Sequence, residues 1–413
     1  MLTYRLITAY DGANADRFEV EAEENHLVMR YPSETCRASG VSHDYAWSFN
    51  FGLESLSDSA HDIRVLINCA KADRWEGKPF ALYTATDPAE GFSLKSLTGK
   101  SDGYTRYVFD VLLEPGECIY VSNTIPRHYS TLVPSLMSYG DLPGTRMIEY
   151  GHSVEGRSLF ALEFGKQSNG KPTVFVTTGI HPPEGDSFAA ESILEHLVGQ
   201  GRHWLDDFNV VIVPLVNPDG FVHGRNGTNA NDINLYWEFQ HERKTQAPEA
   251  YYLWNYMLRV RPSLYLDFHA YVTQSHKDMQ PYLKPIQLYH ADEVRQVVES
   301  MDNFLLDYCD GRAVRGYSTY GKTTLAHLIT RELNAITYTK FHFHLSEGVP
   351  AVQRHAVALF DGLCDILRNQ GITKGHQVVR ARGLSSRLIL SGLTLGGEIK
   401  GYLRTIRDWL KGS

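Results

Sequence analysis

Five cysteines among 413 residues are too few and too scattered to organise a fold. Cys36, Cys69, Cys118, Cys309 and Cys364 contain no CxxC pair, which argues against a sulfur metal site and a disulfide framework and leaves small buried hydrophobes. Positive charge is also in short supply. Forty Lys and Arg against 48 Asp and Glu give a formal net charge of −8, the wrong sign for a nucleic-acid or anionic-membrane surface. No apolar run approaches the ~18 residues that a membrane span needs. The opening MLTYRLITAYDGANADRFEV soon turns polar and lacks a signal-peptide core, so the cytoplasm is the expected compartment. Repeats and low-complexity tracts are missing too.

What is present falls into two styles that meet near residue 135. Before it, Tyr45–Phe51, Asp62–Asn68, Phe80–Tyr83 and Tyr107–Leu113 are rich in aromatic and β-branched residues and are separated by turn-forming stretches. This predicts a small antiparallel β-sandwich over 1–134. Beyond it, the apolar runs Val174–Thr178, Val210–Val216, Leu264–Phe268 and Ala335–Phe343 alternate with helical patterns. Ala190, Ile193, Leu194, Leu197 and Val198 fall on one helical face, as do Val352, Ala356, Leu359, Phe360, Leu363 and Leu367. An α/β domain over 135–375 follows, with a sheet buried on both faces, and 376–413 would complete the fold.

In such sheets ligands gather at the carboxyl ends of strands. His181 and Glu184, in GIHPPEGD, come just after one predicted strand, and His269, in YLDFHAY, ends another. Two imidazoles and a carboxylate suit zinc and leave a fourth position for water, the pattern of a catalytic centre. A His-x-x-acid pair arises by chance about twice in a chain of this composition, so the strand-end placement carries the reading. The stiff Pro182-Pro183 between the ligands adds to it.

Gly179–Glu184 (G-x-H-x-x-E), Asn217–Gly220 (N-P-D-G), Arg225, Asp232–Asn234 (D-x-N) and Asp267–His269 (D-x-H) follow in that order. The set resembles the zinc metallocarboxypeptidase superfamily, and the β-rich segment before it resembles the cytosolic carboxypeptidase branch. The resemblance implies a mixed central sheet flanked by helices and one zinc ion per chain, held by His181, Glu184 and His269. It implies that Arg225 polarises the scissile carbonyl, that Asn234 contacts the substrate carboxylate, and that Tyr317 closes over the substrate, with Tyr320 a competitor.

Two positions depart from the family pattern. Where D-x-N-R places a carboxylate-clamping arginine, this chain has Leu235, which cannot bind a carboxylate. Where S-x-T-x-E places a general-base glutamate, the register of Ala335–Thr339 puts Thr339. A general base contributes ~10²–10⁴ in rate, so its loss changes the expected reaction. His342 and His344 lie on the strand face opposite Thr339 and would reach the site only if the strand ended or bulged. Glu332, Glu347, Asp186 and Glu238 are other nearby acids.

Gly316–Thr323 (GYSTYGKT) fits a phosphate-loop pattern, but the residues before it are too polar for the strand such a loop needs. Two functions remain. One is a zinc-dependent amide hydrolase acting on a peptide, or on an N-acyl or amide small molecule, with altered specificity. The other is a zinc-binding pseudoenzyme that uses the pocket for binding or assembly.

Overall fold

Strict alternation of apolar and polar residues marks strands that are covered on one side. In His61–Cys69, Ile63, Val65 and Ile67 are buried while Asp62 and Arg64 are exposed. The computed structural model describes residues 2–31, 47–69, 81–96, 106–165, 170–237, 239, 244–271, 281–284, 286–289, 291–315, 324–344 and 347–370. Its first nine strands are β1 (Tyr4–Ile7), β2 (Glu19–Glu23), β3 (His26–Tyr31), β4 (Asn50–Ser55), β5 (His61–Cys69), β6 (Leu82–Ala85), β7 (Ser93–Ser96), β8 (Arg106–Leu113) and β9 (Cys118–Ser122). They form an antiparallel sheet in the order β1-β4-β9-β6-β7 and a second sheet in the order β2-β3-β5-β8. In the second sheet β3 and β5 run parallel, a ladder that alternation alone cannot distinguish from an antiparallel one. Phe49, Phe51, Val65 and Phe109 share one apolar core.

Of the strand expected over Tyr45–Phe51, Tyr45 and Ala46 lie outside the described residues, and β4 begins at Asn50 rather than at Trp47. The backbone amides of Trp47 and Ser48 donate to Asn226 Oδ1, and that of Phe49 donates to Asn123 Oδ1. Side chains have taken the donors that a ladder would have used.

Next come α1 (Tyr129–Ser138), β10 (Thr145–His152), β11 (Ser158–Phe164), β12 (Thr173–Thr177), α2 (Ser187–Val198), α3 (Trp204–Asp207), β13 (Asn209–Val213), α4 (Pro218–Val222), α5 (Pro248–Val260), β14 (Leu264–Tyr271), the short pair β15 (Tyr282–Leu283) and β16 (Val314–Arg315), α6 (Asp292–Tyr308), α7 (Leu325–Leu328), β17 (Ile336–His344) and α8 (Val349–Asn369). The main sheet has the order β10-β11-β13-β12-β14-β17. Its first two ladders are antiparallel and the remaining three are parallel. The sheet is therefore mixed.

All five residues of β12 and of β13 are buried, because helices cover both faces. Val174, Val176, Leu264 and Leu266 pack with α2 and α8 residues such as Ile193 and Leu359. Phe175, Val211 and Tyr265 face the other way, towards Leu253, Trp254 and Met257 of α5. Helix α1 runs across the boundary expected at 134/135, and its Leu132, Val133 and Leu136 join the core that also holds Ile193 and Leu359. Residues 376–413 lie outside the described residues, and no helix among the described residues is long and apolar enough to cross a membrane.

Candidate metal centre

β12 and β14 are parallel neighbours, with Thr177 paired to Asp267. A few residues beyond that pair, both chains pass the same edge of the sheet, and this brings His181 to His269. After β12, Pro182 and Pro183 open a tight 3-10 turn, Pro182–Glu184, and the Glu184 amide closes it on the His181 carbonyl. Gly185 then adopts φ +69°, a conformation that costs glycine little, and the chain turns into α2.

The turn aims Glu184 between two imidazoles. Its Oε1 lies 2.9 Å from Nδ1 of His181, and its Oε2 lies 2.8 Å from Nδ1 of His269. One ligand atom from each residue fits within a 4.8 Å group, the span of a metal centre. Each remote ring nitrogen meets an oxygen. His181 Nε2 is 3.4 Å from Asn234 Oδ1, and His269 Nε2 is 3.1 Å from Asp267 Oδ2. An outer oxygen on the second nitrogen is how metal-binding imidazoles are oriented. The donor set fits zinc, with both rings presenting Nδ1.

Electrostatics favour charge here despite burial. Burial opposes ionisation of Glu184, but His181 and His269 outweigh it and hold the carboxyl well below its usual range. Burial likewise opposes protonation of His269, yet Asp267 and Glu184 push it up to about 10. Asp267 is itself fixed, its Oδ1 accepting from Thr177 Oγ1 at 2.8 Å. Asp186 is fully buried, which raises its carboxyl well above the ordinary value.

The loop from α4 to Asn234 carries the other expected residues. Asn217 caps α4 by accepting from the Gly220 amide, and its Nδ2 donates to the Thr228 carbonyl. Arg225 Nη1 donates to Asp232 Oδ1 at 2.6 Å and to Thr228 Oγ1 at 3.3 Å. Arg225 Nε and Asn234 Nδ2 are buried donors with no hydrogen-bond partner among the described residues. Buried donors of this kind suit a ligand oxygen. Leu235 is fully buried in the α5-side core.

Thr339 stands opposite Asp267 on the β14–β17 ladder. The register then shifts, so that Phe268 faces Phe341, His269 faces His342 and Tyr271 faces His344. β17 therefore carries the irregularity that a change of face requires. Tyr317, Tyr320, Glu238 and the GYSTYGKT segment lie outside the described residues.

Sequence reasoning missed three neighbours. Tyr236 packs its ring 6.1 Å from His181 and 5.7 Å from His269. Asp267 was visible only as a motif letter. Lys284 brings its Nζ to Thr337 Oγ1, Thr330 Oγ1 and the Ala326 carbonyl, and burial pushes it down to about 7. No local pattern announces such a lysine.

A family model described as zinc carboxypeptidase matches residues 139–346. Cytosolic carboxypeptidase 1 of Xenopus laevis is 24% identical over 288 residues, covering 62% of this chain and 22% of that protein. The Homo sapiens protein of that name is 28% identical over 345 residues, covering 75% and 26%. The chain thus spans about a quarter of the length of these relatives. A metallo-carboxypeptidase from Burkholderia cenocepacia superposes with a TM-score of 0.71 at 16% identity, over 89% of this chain and 100% of that one. One from Pseudomonas aeruginosa, in complex with (2-guanidinoethylmercapto)succinic acid, gives 0.67 at 16% identity, over 89% and 99%. These superpositions show a shared fold.

Proposed function

The chain belongs to the zinc carboxypeptidase family, and on that premise we propose that it hydrolyses an amide bond at a zinc site formed by His181, Glu184 and His269. The observation that carries this reading is the convergence of the three ligand atoms, with both Nδ1 atoms turned to Glu184. Zinc, when bound, supplies a Lewis acid for the carbonyl and acidifies a bound water. Arg225 is the guanidinium that steadies the developing oxyanion, and its Nε, which has no partner among the described residues, supports that role. One such donor is worth ~10²–10³ in kcat. Asn234 offers Nδ2 to a substrate oxygen while its Oδ1 orients His181. Leu235 backs the site from the core, and Tyr317 is the residue assigned to close over substrate.

With leucine where the clamp would be, the substrate is a peptide, N-acyl or amide compound whose recognition does not depend on an ordinary free C-terminus. Thr339 lacks a basic group, so the general-base role is assigned to no residue. The assigned compartment is the cytoplasm.

The test compares hippuryl-phenylalanine with hippuryl-phenylalaninamide, in the zinc-loaded and chelated chain. Faster turnover of the amide, lost on chelation, is expected. Equal and efficient release of phenylalanine from the free acid would refute the altered specificity. A second reading, the zinc-binding pseudoenzyme, draws on Leu235 and Thr339. It predicts tight zinc binding with neither compound cleaved.

A further inference from the structure

Arg225 sits between two residues that are gripped by the N-terminal β domain. On one side, Gly224 adopts φ +55°, and a Cβ there would lie 2.3 Å from the Gly12 carbonyl oxygen. Only a glycine lets the two backbones meet so closely. The Gly224 carbonyl accepts from Asn14 Nδ2 at 3.2 Å, and the Val222 carbonyl accepts from the Gly12 amide at 2.9 Å. On the other side, Asn226 is fully buried. Its Oδ1 accepts from the amides of Ser48 at 2.7 Å and Trp47 at 3.3 Å, and its Nδ2 donates to the Tyr31 hydroxyl at 3.1 Å. Every one of these partners precedes residue 50, whereas the loop they hold leads to Asn234.

The grip extends to the arginine's own counter-ion. Asp232, itself at φ +60°, receives Arg225 at 2.6 Å and Arg17 of the β domain at 3.9 Å, both on Oδ1. A short loop held at both ends, with its charge partner shared across the seam, presents a guanidinium in one place. The α4 side holds the loop as well, the Arg225 amide donating to the Gly220 carbonyl and Asn217 Nδ2 to the Thr228 carbonyl, so the bonds from the β domain act on the stretch that flanks the arginine.

We propose that the N-terminal β domain is part of the catalytic apparatus, with Asn226 as a positioning residue that fixes where Arg225 meets the substrate carbonyl. The proposal rests on the role given to Arg225 above. It concerns the transition state, because a displaced oxyanion donor costs kcat more than substrate binding.

The experiment uses the full zinc-loaded chain and hippuryl-phenylalaninamide, with Asn226→Ala, Asn226→Asp, Arg225→Ala and the Asn226→Ala/Arg225→Ala pair. Asn226→Ala is expected to lower kcat about 10–100-fold while KM changes less than about threefold and zinc content stays constant. Asn226→Asp keeps the acceptor for Trp47 and Ser48 and should restore most of kcat. In the Arg225→Ala background, loss of Asn226 should cost nothing further, because its effect passes through the arginine. A turnover-independent measurement stands beside these. Phenylglyoxal should modify Arg225 at least several-fold faster in Asn226→Ala, with Arg146 as an unaffected internal reference. The proposal is overturned if Asn226→Ala lowers only thermal stability, if its cost is undiminished without Arg225, or if Arg225 reactivity is unchanged. Should Arg225→Ala itself leave kcat intact, the oxyanion reading fails, and that outcome is separate from the others.

Discussion

Asp267 Oδ2 lies 3.1 Å from Nε2 of His269, on the far side of the ring from Nδ1, which faces Glu184. The carboxylate therefore decides which nitrogen is offered to a metal. Thr177, from the neighbouring strand, decides where the carboxylate stands. Replacing Asp267 by Asn should weaken zinc binding about 10–100-fold, as loss of an outer-sphere carboxylate typically does. Competition against a chromophoric chelator measures it, and an unchanged Kd would exclude the orienting role.

The metal-free chain should lose thermal stability as the solution turns alkaline. His269 is raised from 6.5 to about 10, so the native state holds a proton in this window that the unfolded chain releases. That contribution is fully present below pH 6.5 and disappears as pH rises through about 10. Zinc on Nδ1 takes the proton's place, so the gap between melting temperatures of the zinc-loaded and chelated chain should widen from pH 7 to 10. Calorimetry on both forms checks this, and a constant gap would contradict it.

Leu235 packs in the α5-side core with Phe175, Trp254 and Met257. Leu235→Ala should cost about 2–5 kcal/mol in urea unfolding, with little change in zinc affinity. Leu235→Arg would bury a charge in that core and should destabilise the chain without producing turnover of hippuryl-phenylalanine. Gain of that activity in a stable variant would show that the side chain reaches the substrate.

Gly224→Ala tests the seam between the β domain and the Arg225 loop. Ala is disfavoured at φ +55°, and its Cβ would meet the Gly12 carbonyl at 2.3 Å. The combined loss should exceed about 1 kcal/mol and lower the melting temperature, with zinc stoichiometry retained. An unaltered melting temperature would mean that the seam contributes little.

Much of the molecule could be read from local pattern. Continuous apolar runs announced β12, β13, β14 and β17, and helical spacing announced α2 and α8, because burial on two faces or on one stripe leaves its period in the sequence. The order of His181, Glu184 and His269 relative to those runs pointed to a strand-end metal group. The late start of β4 was hidden, because it depends on Asn226 and Asn123 taking the amides of Trp47 to Phe49 from far along the chain.

The sequence by itself thus determined which residues could form a metal group, and it raised the expectation that Leu235 and Thr339 stand where the family carries polar groups. Tertiary structure decided which nitrogen each imidazole presents, because that depends on Asp267 and Asn234 meeting the rings across strands and loops. It decided the register that sets His342 opposite His269, since a single-residue irregularity in a ladder leaves no periodic trace. It also joined residues 12–48 to the loop of Arg225, through the Gly12 amide on the Val222 carbonyl and through the side chains of Asn14 and Asn226, pairings between distant segments that no local sequence pattern announces.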